Sequence, residues 1–185
     1  PPRSTLFPYT TLFRSGTEDK YFVNIASFGM SGLVDKLVNE APKTLGGRAS
    51  FFIGTLRALA RYKPATVRVT IDGQTLPDFQ VNVMAVANGR YFGGGMFMAP
   101  DADPGDGFFD VVAIEAAPPL RALRLAPRIY NGTHIATDLV RSFRAREVVA
   151  ETVGPHPAYI DLDGEAPGTL PATFTMVPRA LTLLA

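Results

Sequence analysis

Apolar residues recur at every second position through much of this chain, in short runs that Gly and Pro keep interrupting. Val67, Val69 and Ile71 alternate with Arg68 and Thr70 before Asp72-Gly73, and Val81, Val83 and Ala85 line one side of residues 80–87 before Asn88-Gly89. A period of two that ends in turn dipeptides of this kind marks half-buried strands joined by tight antiparallel connections. Residues 109–114, 147–151, 159–162, 172–177 and 180–184 read as further short strands, and residues 21–25 as an earlier one that runs into a turn at Ser27-Phe28-Gly29. With 17 Gly and 16 Pro among 185 residues, many turns follow. The expected fold is mostly β, of the α+β kind: a β-sandwich of one domain.

Helical spacing breaks this pattern in three places. Met30, Leu33, Val34, Leu37, Val38 and Ala41 share one face of a 3.6-residue period that Pro42 ends. A second helix is predicted over residues 48–62, stopping before Pro64 and joined to the first by Gly46-Gly47 as an inserted hairpin. A further helix is predicted over residues 120–129.

The inventory excludes several functions. There is no Cys, which removes disulfides, thiolate zinc sites, iron–sulfur clusters and a thiol nucleophile. Lys and Arg total 18 against 17 Asp and Glu, a net charge of +1, so the chain has no field suited to generic polyanions and nucleic acid is not expected as a partner. The longest stretch free of charged residues spans the 14 residues 21–34 and includes Asn24, Ser27 and Ser31; a bilayer-crossing helix needs about 20 apolar residues. The first residue is Pro, and the run Thr5-Leu6-Phe7-Pro8-Tyr9-Thr10-Thr11-Leu12-Phe13-Arg14-Ser15 looks like the in-frame translation of a short-read sequencing adaptor. Residues 1–15 are therefore expected to be an irregular scar preceding a domain of residues 16–185, with the gene's true upstream part missing.

Three segments could carry chemistry. The glycines of Asn88-Gly89-Arg90-Tyr91-Phe92-Gly93-Gly94-Gly95 lack the Lys-Ser/Thr of a Walker loop, so a role in backbone shape is expected. Asp101, Asp103, Asp106 and Asp110 crowd a turn-rich loop in which carboxylate and carbonyl oxygens could take Mg²⁺ or Ca²⁺, or merely accept backbone N–H groups. In Asp161-Leu162-Asp163-Gly164-Glu165, strand alternation puts three acids on one face; they are a solvated, exposed hairpin tip, are metal-bound, or include a carboxylate perturbed enough to act as a general base. His134 and His156 are too dispersed for a metal cage and are expected on the surface. Residues 121–146 hold six Arg against Asp138 alone, which is a solvated face or a contact for an anionic membrane or phosphate-bearing partner.

In their order and spacing, Tyr21-Phe22-Val23-Asn24-Ile25-Ala26-Ser27-Phe28-Gly29, Val86-Ala87-Asn88-Gly89 with Gly93-Gly94-Gly95, Ala99-Pro100, Asp106-Gly107-Phe108-Phe109-Asp110 and Asp161-Leu162-Asp163-Gly164-Glu165 resemble the C-terminal half of the diacylglycerol kinase-like bacterial lipid kinases, relatives of the sphingosine kinases. NAD kinases are more distant cousins, and Asp163-Gly164-Glu165 favours the lipid branch. The resemblance implies a two-domain, ATP-dependent, Mg²⁺-requiring enzyme that phosphorylates a lipid hydroxyl such as that of diacylglycerol. Its Gly-Gly-Asp-Gly-Thr nucleotide motif would lie in an N-terminal domain; no such motif occurs here, so the fragment is expected to be inactive alone. By the same resemblance Glu165 is the proton acceptor, Asp163 its supporting acid, and Asp106 with the Asp103 and Phe108 carbonyls a structural Mg²⁺ loop. The expected setting is the cytoplasm with peripheral contact at the inner membrane face, and the implied partners are a lipid substrate and the missing nucleotide-binding domain. Strands meant to meet that domain would leave apolar surface exposed here, from which self-association as a homodimer is expected. A competing expectation is a non-catalytic β-sandwich module that binds lipid or protein.

Overall fold

The computed structural model describes residues 4–16, 18–39 and 62–184. Its frame is one curled antiparallel sheet of twelve strands in the path β11-β10-β3-β6-β4-β9-β12-β1-β2, with β7 and β8 branching from β6. The strands are β1 (Ser4–Ser15), β2 (Glu18–Phe22), β3 (Ile25–Gly29), β4 (Ala65–Ile71), β5 (Gln74–Thr75), β6 (Phe79–Ala87), β7 (Phe109–Glu115), β8 (Val140–Ala145), β9 (Glu147–Thr152), β10 (Tyr159–Leu162), β11 (Glu165–Thr169) and β12 (Ala172–Leu184). Two helices, α1 (Met30–Asn39) and α2 (Pro119–Tyr130), and a 3₁₀ turn at Thr133–Ala136 complete the described part. The mostly β architecture expected from the period-two runs is what forms. The predicted helix over 48–62 and its Gly46-Gly47 connection lie outside the described residues, apart from Tyr62.

β6 is what turns a single ladder into two layers. Its first residues pair with β4, Ala65 opposite Val81, and its last five pair with β3, from Gly29 opposite Val83 to Ile25 opposite Ala87. The change of partner falls at Asn82, where the β6–β7 register also shifts. At that point Gly29 adopts φ 113°, and a Cβ there would stand 2.5 Å from the Asn82 carbonyl oxygen, so only glycine permits the two backbones to approach. The Tyr62 hydroxyl covers the same junction, donating to the Val81 carbonyl (3.0 Å) and accepting from the Ala65 N–H (3.3 Å).

Between the splayed layers lies an aromatic core. Phe174 is fully buried and touches the rings of Phe13, Phe22 and Phe28 at centroid separations of 5.6, 6.3 and 6.1 Å, while Phe22 stacks on Phe109 at 6.1 Å. These separations fall in the range where edge-to-face and offset rings attract. A second apolar cluster, including Ile25, Val83, Met98, Val112 and Leu125, fills the space on the other side of the sheet beneath α2.

Three expectations require correction. Residues 4–15 are not irregular: β1 pairs antiparallel with both β12 and β2. Its Thr, Phe, Tyr and Leu residues suit a pleated surface, Phe13 is buried, and position 8, a Pro, falls at the register shift between Phe7 and Tyr9, where the ladder is already interrupted. The strand expected over 21–25 breaks instead at Val23-Asn24, and the buried central strand is Ile25–Gly29. The runs 172–177 and 180–184 form one strand, β12, across Pro178.

Because Phe174 joins four strands through its ring contacts, Phe174→Ala should cost about 3–5 kcal/mol. Urea unfolding is the check, and a loss below ~1 kcal/mol would mean that this cluster does not hold the layers together.

Candidate functional site

The residues Asp161 to Glu165 form a two-residue hairpin rather than a continuing strand. Leu162 pairs with Glu165, and the connecting Asp163 and Gly164 adopt φ of 50° and 92°, the left-handed pair that a tight hairpin turn of this hand requires. The three acids therefore do not share a face, contrary to the alternation. Asp161 is buried (4% exposed), lies 3.2 Å from the Ser27 hydroxyl and accepts the Gly164 N–H at 2.7 Å. Asp163 reaches back across the sheet and accepts the N–H groups of Val23 (2.8 Å), Asn24 (3.2 Å) and Ile25 (2.8 Å). Glu165 is exposed, with no side-chain hydrogen bond or ion pair among the described residues.

The Asp163 contacts explain the broken strand. A carboxylate that gathers three consecutive N–H groups curves the backbone around itself, so residues 23 and 24 leave the ladder. The main chain reinforces the same junction: the Asp163 N–H donates to the Ile25 carbonyl at 3.1 Å. Asn24 then links the hairpin to a third segment. Its carbonyl accepts the N–H groups of Asn88 and Gly89, each at 2.9 Å, and its Nδ2 donates to the Tyr91 carbonyl at 2.9 Å. Asn88 donates through Nδ2 to the Val23 carbonyl at 2.7 Å, leaving its Oδ1 buried without a partner among the described residues. By local pattern Asn24 reads as a strand residue and Asn88 as a turn residue; their linking role depends on pairings 60 or more positions apart. The following glycines, Gly93, Gly94 and Gly95, all have positive φ and close a tight turn between Phe92 and Met96, which is the shape role expected of them.

The acidic loop is a separate constellation. Asp103 Oδ1 accepts the Gly105 N–H (2.8 Å), the Asp103 carbonyl accepts the Asp106 N–H (3.2 Å), and Asp106 Oδ1 accepts the Phe108 N–H (2.9 Å). The other Asp106 oxygen pairs with Arg144, whose guanidinium stands 4.7 Å above the Phe108 ring beside that of Arg146 at 4.6 Å. Asp110, at the start of β7, is buried, and its Oδ2 has no partner among the described residues. Burial pushes its carboxyl pKa up; Arg144 works against this and the charges of Asp106 and Asp101 add to it. Among the described residues no three His, Asp or Glu side chains converge closely enough to hold a metal by themselves.

His134 is not on the surface. It is fully buried, with Nε2 3.0 Å from the Met98 carbonyl, and burial holds its pKa below the usual imidazole value. His156 is half-buried. The arginine-rich stretch separates into individual contacts: Arg121 pairs with Asp138 (2.8 Å), Arg141 with Glu115 (2.6 Å) and Arg144 with Asp106, while Arg146 lies over Phe108.

Residues 24–185 match the family model described as the YegS C-terminal NAD kinase beta sandwich-like domain. The chain belongs to this family. Its hairpin, asparagine links and acidic loop thus all lie within a YegS-type C-terminal domain. Among relatives, it is 32% identical over 166 residues to a diacylglycerol kinase of Mycobacterium tuberculosis, covering 90% of this chain and 52% of that protein. It is 26% identical over 163 residues to a diacylglycerol kinase of Bacillus subtilis, covering 86% and 52%. The chain spans about half the length of these curated relatives. In fold it is similar to a crystal structure of a candidate diacylglycerol kinase from Bacillus anthracis, with a TM-score of 0.72 at 20% identity over 98% of this chain and 57% of that one.

Asp163→Ala leaves three N–H groups without their acceptor and should destabilise the domain by about 2 kcal/mol, the scale of hydrogen bonds to a charged group. Denaturant titration would show an unchanged midpoint if the hairpin were held by its turn geometry alone.

Proposed function

We propose that this chain is the lipid-presenting part of an ATP-dependent lipid kinase and that Glu165 accepts the proton of the lipid hydroxyl. One observation carries the assignment: of the three hairpin carboxylates, Asp161 and Asp163 are held in backbone and hydroxyl contacts, and Glu165 alone stands exposed with no partner among the described residues. A base must have a free lone pair within reach of the proton that it removes. The names of the relatives, diacylglycerol kinases, supply the substrate class.

In the reaction the lipid hydroxyl oxygen forms a bond to the γ-phosphorus of ATP as the bond to the β–γ bridging oxygen breaks. The hydroxyl proton moves to the Glu165 carboxylate and ADP departs with the negative charge of the leaving oxygen. Positioning dominates such a transfer. Asp163 does not need to touch the substrate for this; by gripping residues 23–25 it sets where the turn, and so Glu165, stands. Asp163 is accordingly a positioning residue.

Mg²⁺ fits the acidic loop chemically. The available donors are oxygens, Asp106 is the central carboxylate, and the buried, unpartnered Asp110 Oδ2 beside the Asp106 charge is the kind of excess negative potential that a hard cation relieves. Asp106, with the Asp103 and Phe108 carbonyls, would hold the ion, in competition with Arg144. When bound there it would stiffen the loop that leads into β7 and neutralise its charge. ATP would be held by residues outside this chain, so the isolated 185 residues should not turn over. The setting we propose is the cytoplasmic face of the inner membrane, with peripheral contact and a homodimer as the assembled form; among the described residues no helix is long and apolar enough to cross a bilayer.

In the whole protein, Glu165→Gln keeps the size of the side chain and removes its basicity. Phosphorylation of diacylglycerol by this variant should fall by about 10²–10⁴, as is typical for loss of a general base. The KM for ATP should stay close to that of the parent. Turnover near the parent rate would reject the base assignment, and a whole protein that binds lipid but phosphorylates none would favour a binding module.

A further inference from the structure

The outer face of α2 combines exposed apolar side chains with arginines that lack an ion pair among the described residues. Its inner side is anchored: Leu125 is buried in the second core cluster and Ile129 packs against it. Its exposed side carries Leu120, 62% exposed, then Arg124 and Arg128 at successive helical turns, with Tyr130, 55% exposed, at the helix end on the flank away from Arg128. Arg124 and Arg128 have no ion pair among the described residues, whereas Arg121 on the same helix is satisfied by Asp138. Beyond the helix end, Tyr91 is 52% exposed and stacks on Phe97 with ring centroids 4.5 Å apart. The Phe97 N–H donates to the Ile129 carbonyl at 3.0 Å, so the aromatic pair and the helix form one continuous surface. The same surface reaches the candidate site, because the Tyr91 carbonyl accepts from Asn24, and Asn24 donates through its N–H to Asp163.

We infer that this surface, made by α2 and the Tyr91–Phe97 pair, is where the domain rests on an anionic lipid bilayer, with the Asp163-Gly164 turn brought to the headgroup level beside it. The inference rests on the lipid-kinase reading and adds the face by which the domain meets its substrate. Two features in combination single out a bilayer. Unpaired arginines are attracted to anionic headgroups, and tyrosines with an aliphatic side chain at both ends of a basic helix suit the boundary between headgroups and acyl chains. A phosphorylated protein partner would account for the arginines but not for three exposed apolar side chains spread along and beyond the helix.

The test uses flotation of the full 185-residue chain with vesicles of phosphatidylglycerol mixed into phosphatidylcholine, against vesicles of phosphatidylcholine alone. The chain should float with the anionic vesicles, and less so as salt rises. Arg124→Glu with Arg128→Glu should lower the partition coefficient by at least about tenfold, since each basic residue near such a surface contributes several-fold. Leu120→Ser with Tyr130→Ser should weaken binding at high salt, where the apolar part dominates. Because the chain contains no Trp, Tyr91→Trp supplies a clean fluorescence reporter, whose emission should shift to shorter wavelength on anionic vesicles. The inference is overturned if the folded chain shows no preference for anionic vesicles, if the double charge reversal binds like the parent with its circular dichroism intact, or if a soluble phosphopeptide displaces it completely. Vesicle binding that survives while the whole protein phosphorylates no lipid contradicts the kinase reading and leaves the bilayer surface standing. Loss of the surface with normal phosphorylation of detergent-dispersed lipid would be the reverse case.

Discussion

One carboxylate with three backbone donors organises the candidate site. Asp163 lies in a turn and is solvent-exposed, yet its oxygens accept from Val23, Asn24 and Ile25, which lie about 140 positions earlier in the chain. This contact ends β2, starts β3 and fixes the β10–β11 hairpin against both. Charge-assisted hydrogen bonds to backbone amides are directional and stronger than neutral ones, so the turn has a defined place on the sheet edge. Glu165, two residues on, inherits that place. Its position is thus set by contacts other than its own.

The sheet delivers these segments to one location. β6 binds β4 with its first residues and β3 with its last, so the ladder divides at Asn82 and Gly29. One branch runs through β3 to β10 and β11; the other runs through β4, β9 and β12 to β1 and β2. The buried phenylalanines fill the angle between the branches. At the C-terminal end of β6, Asn88 and Gly89 emerge beside Asn24, which joins the hairpin to the loop that carries Tyr91. The site is therefore built past the C-terminal end of β6, at the far end of its pairing with β3, where backbone groups leave the ladder and are satisfied by side chains instead.

Much of the fold was legible because it follows from local rules. The alternation of Val67, Val69 and Ile71 and the Asp72-Gly73 turn give β4 and the turn after it as read, while the two-residue β5 has no periodicity to announce it; the apolar stripe from Met30 gives α1. What escaped depends on distant partners. Nothing near Val23 announces that its N–H will be claimed by Asp163. β8 was missed because Val140, Arg141, Ser142, Phe143, Arg144 and Ala145 read first as part of a basic stretch, although alternate residues do face the sheet. The Asp163-Gly164 dipeptide carries the same turn signal as Asp72-Gly73, and a hairpin tip is one of the readings open to it; the positive φ of both residues decides for the hairpin. The likeness of β1 to an adaptor translation hides its strand pattern. The β12 edge pairs with it all the same, because pairing requires only β-compatible residues in register.

The claim that Asp163 holds the hairpin against residues 23–25 can be tested directly by amide hydrogen exchange resolved by residue. Val23 and Asn24 lie in a bend outside any strand and are exposed, so ordinary loop amides there would exchange within seconds. The account predicts slow exchange at Val23, Asn24 and Ile25 together, with protection lost at all three when Asp163 is replaced by Asn, while the central amides of β4 stay protected. Fast exchange at Val23 and Asn24 in the parent protein would contradict it.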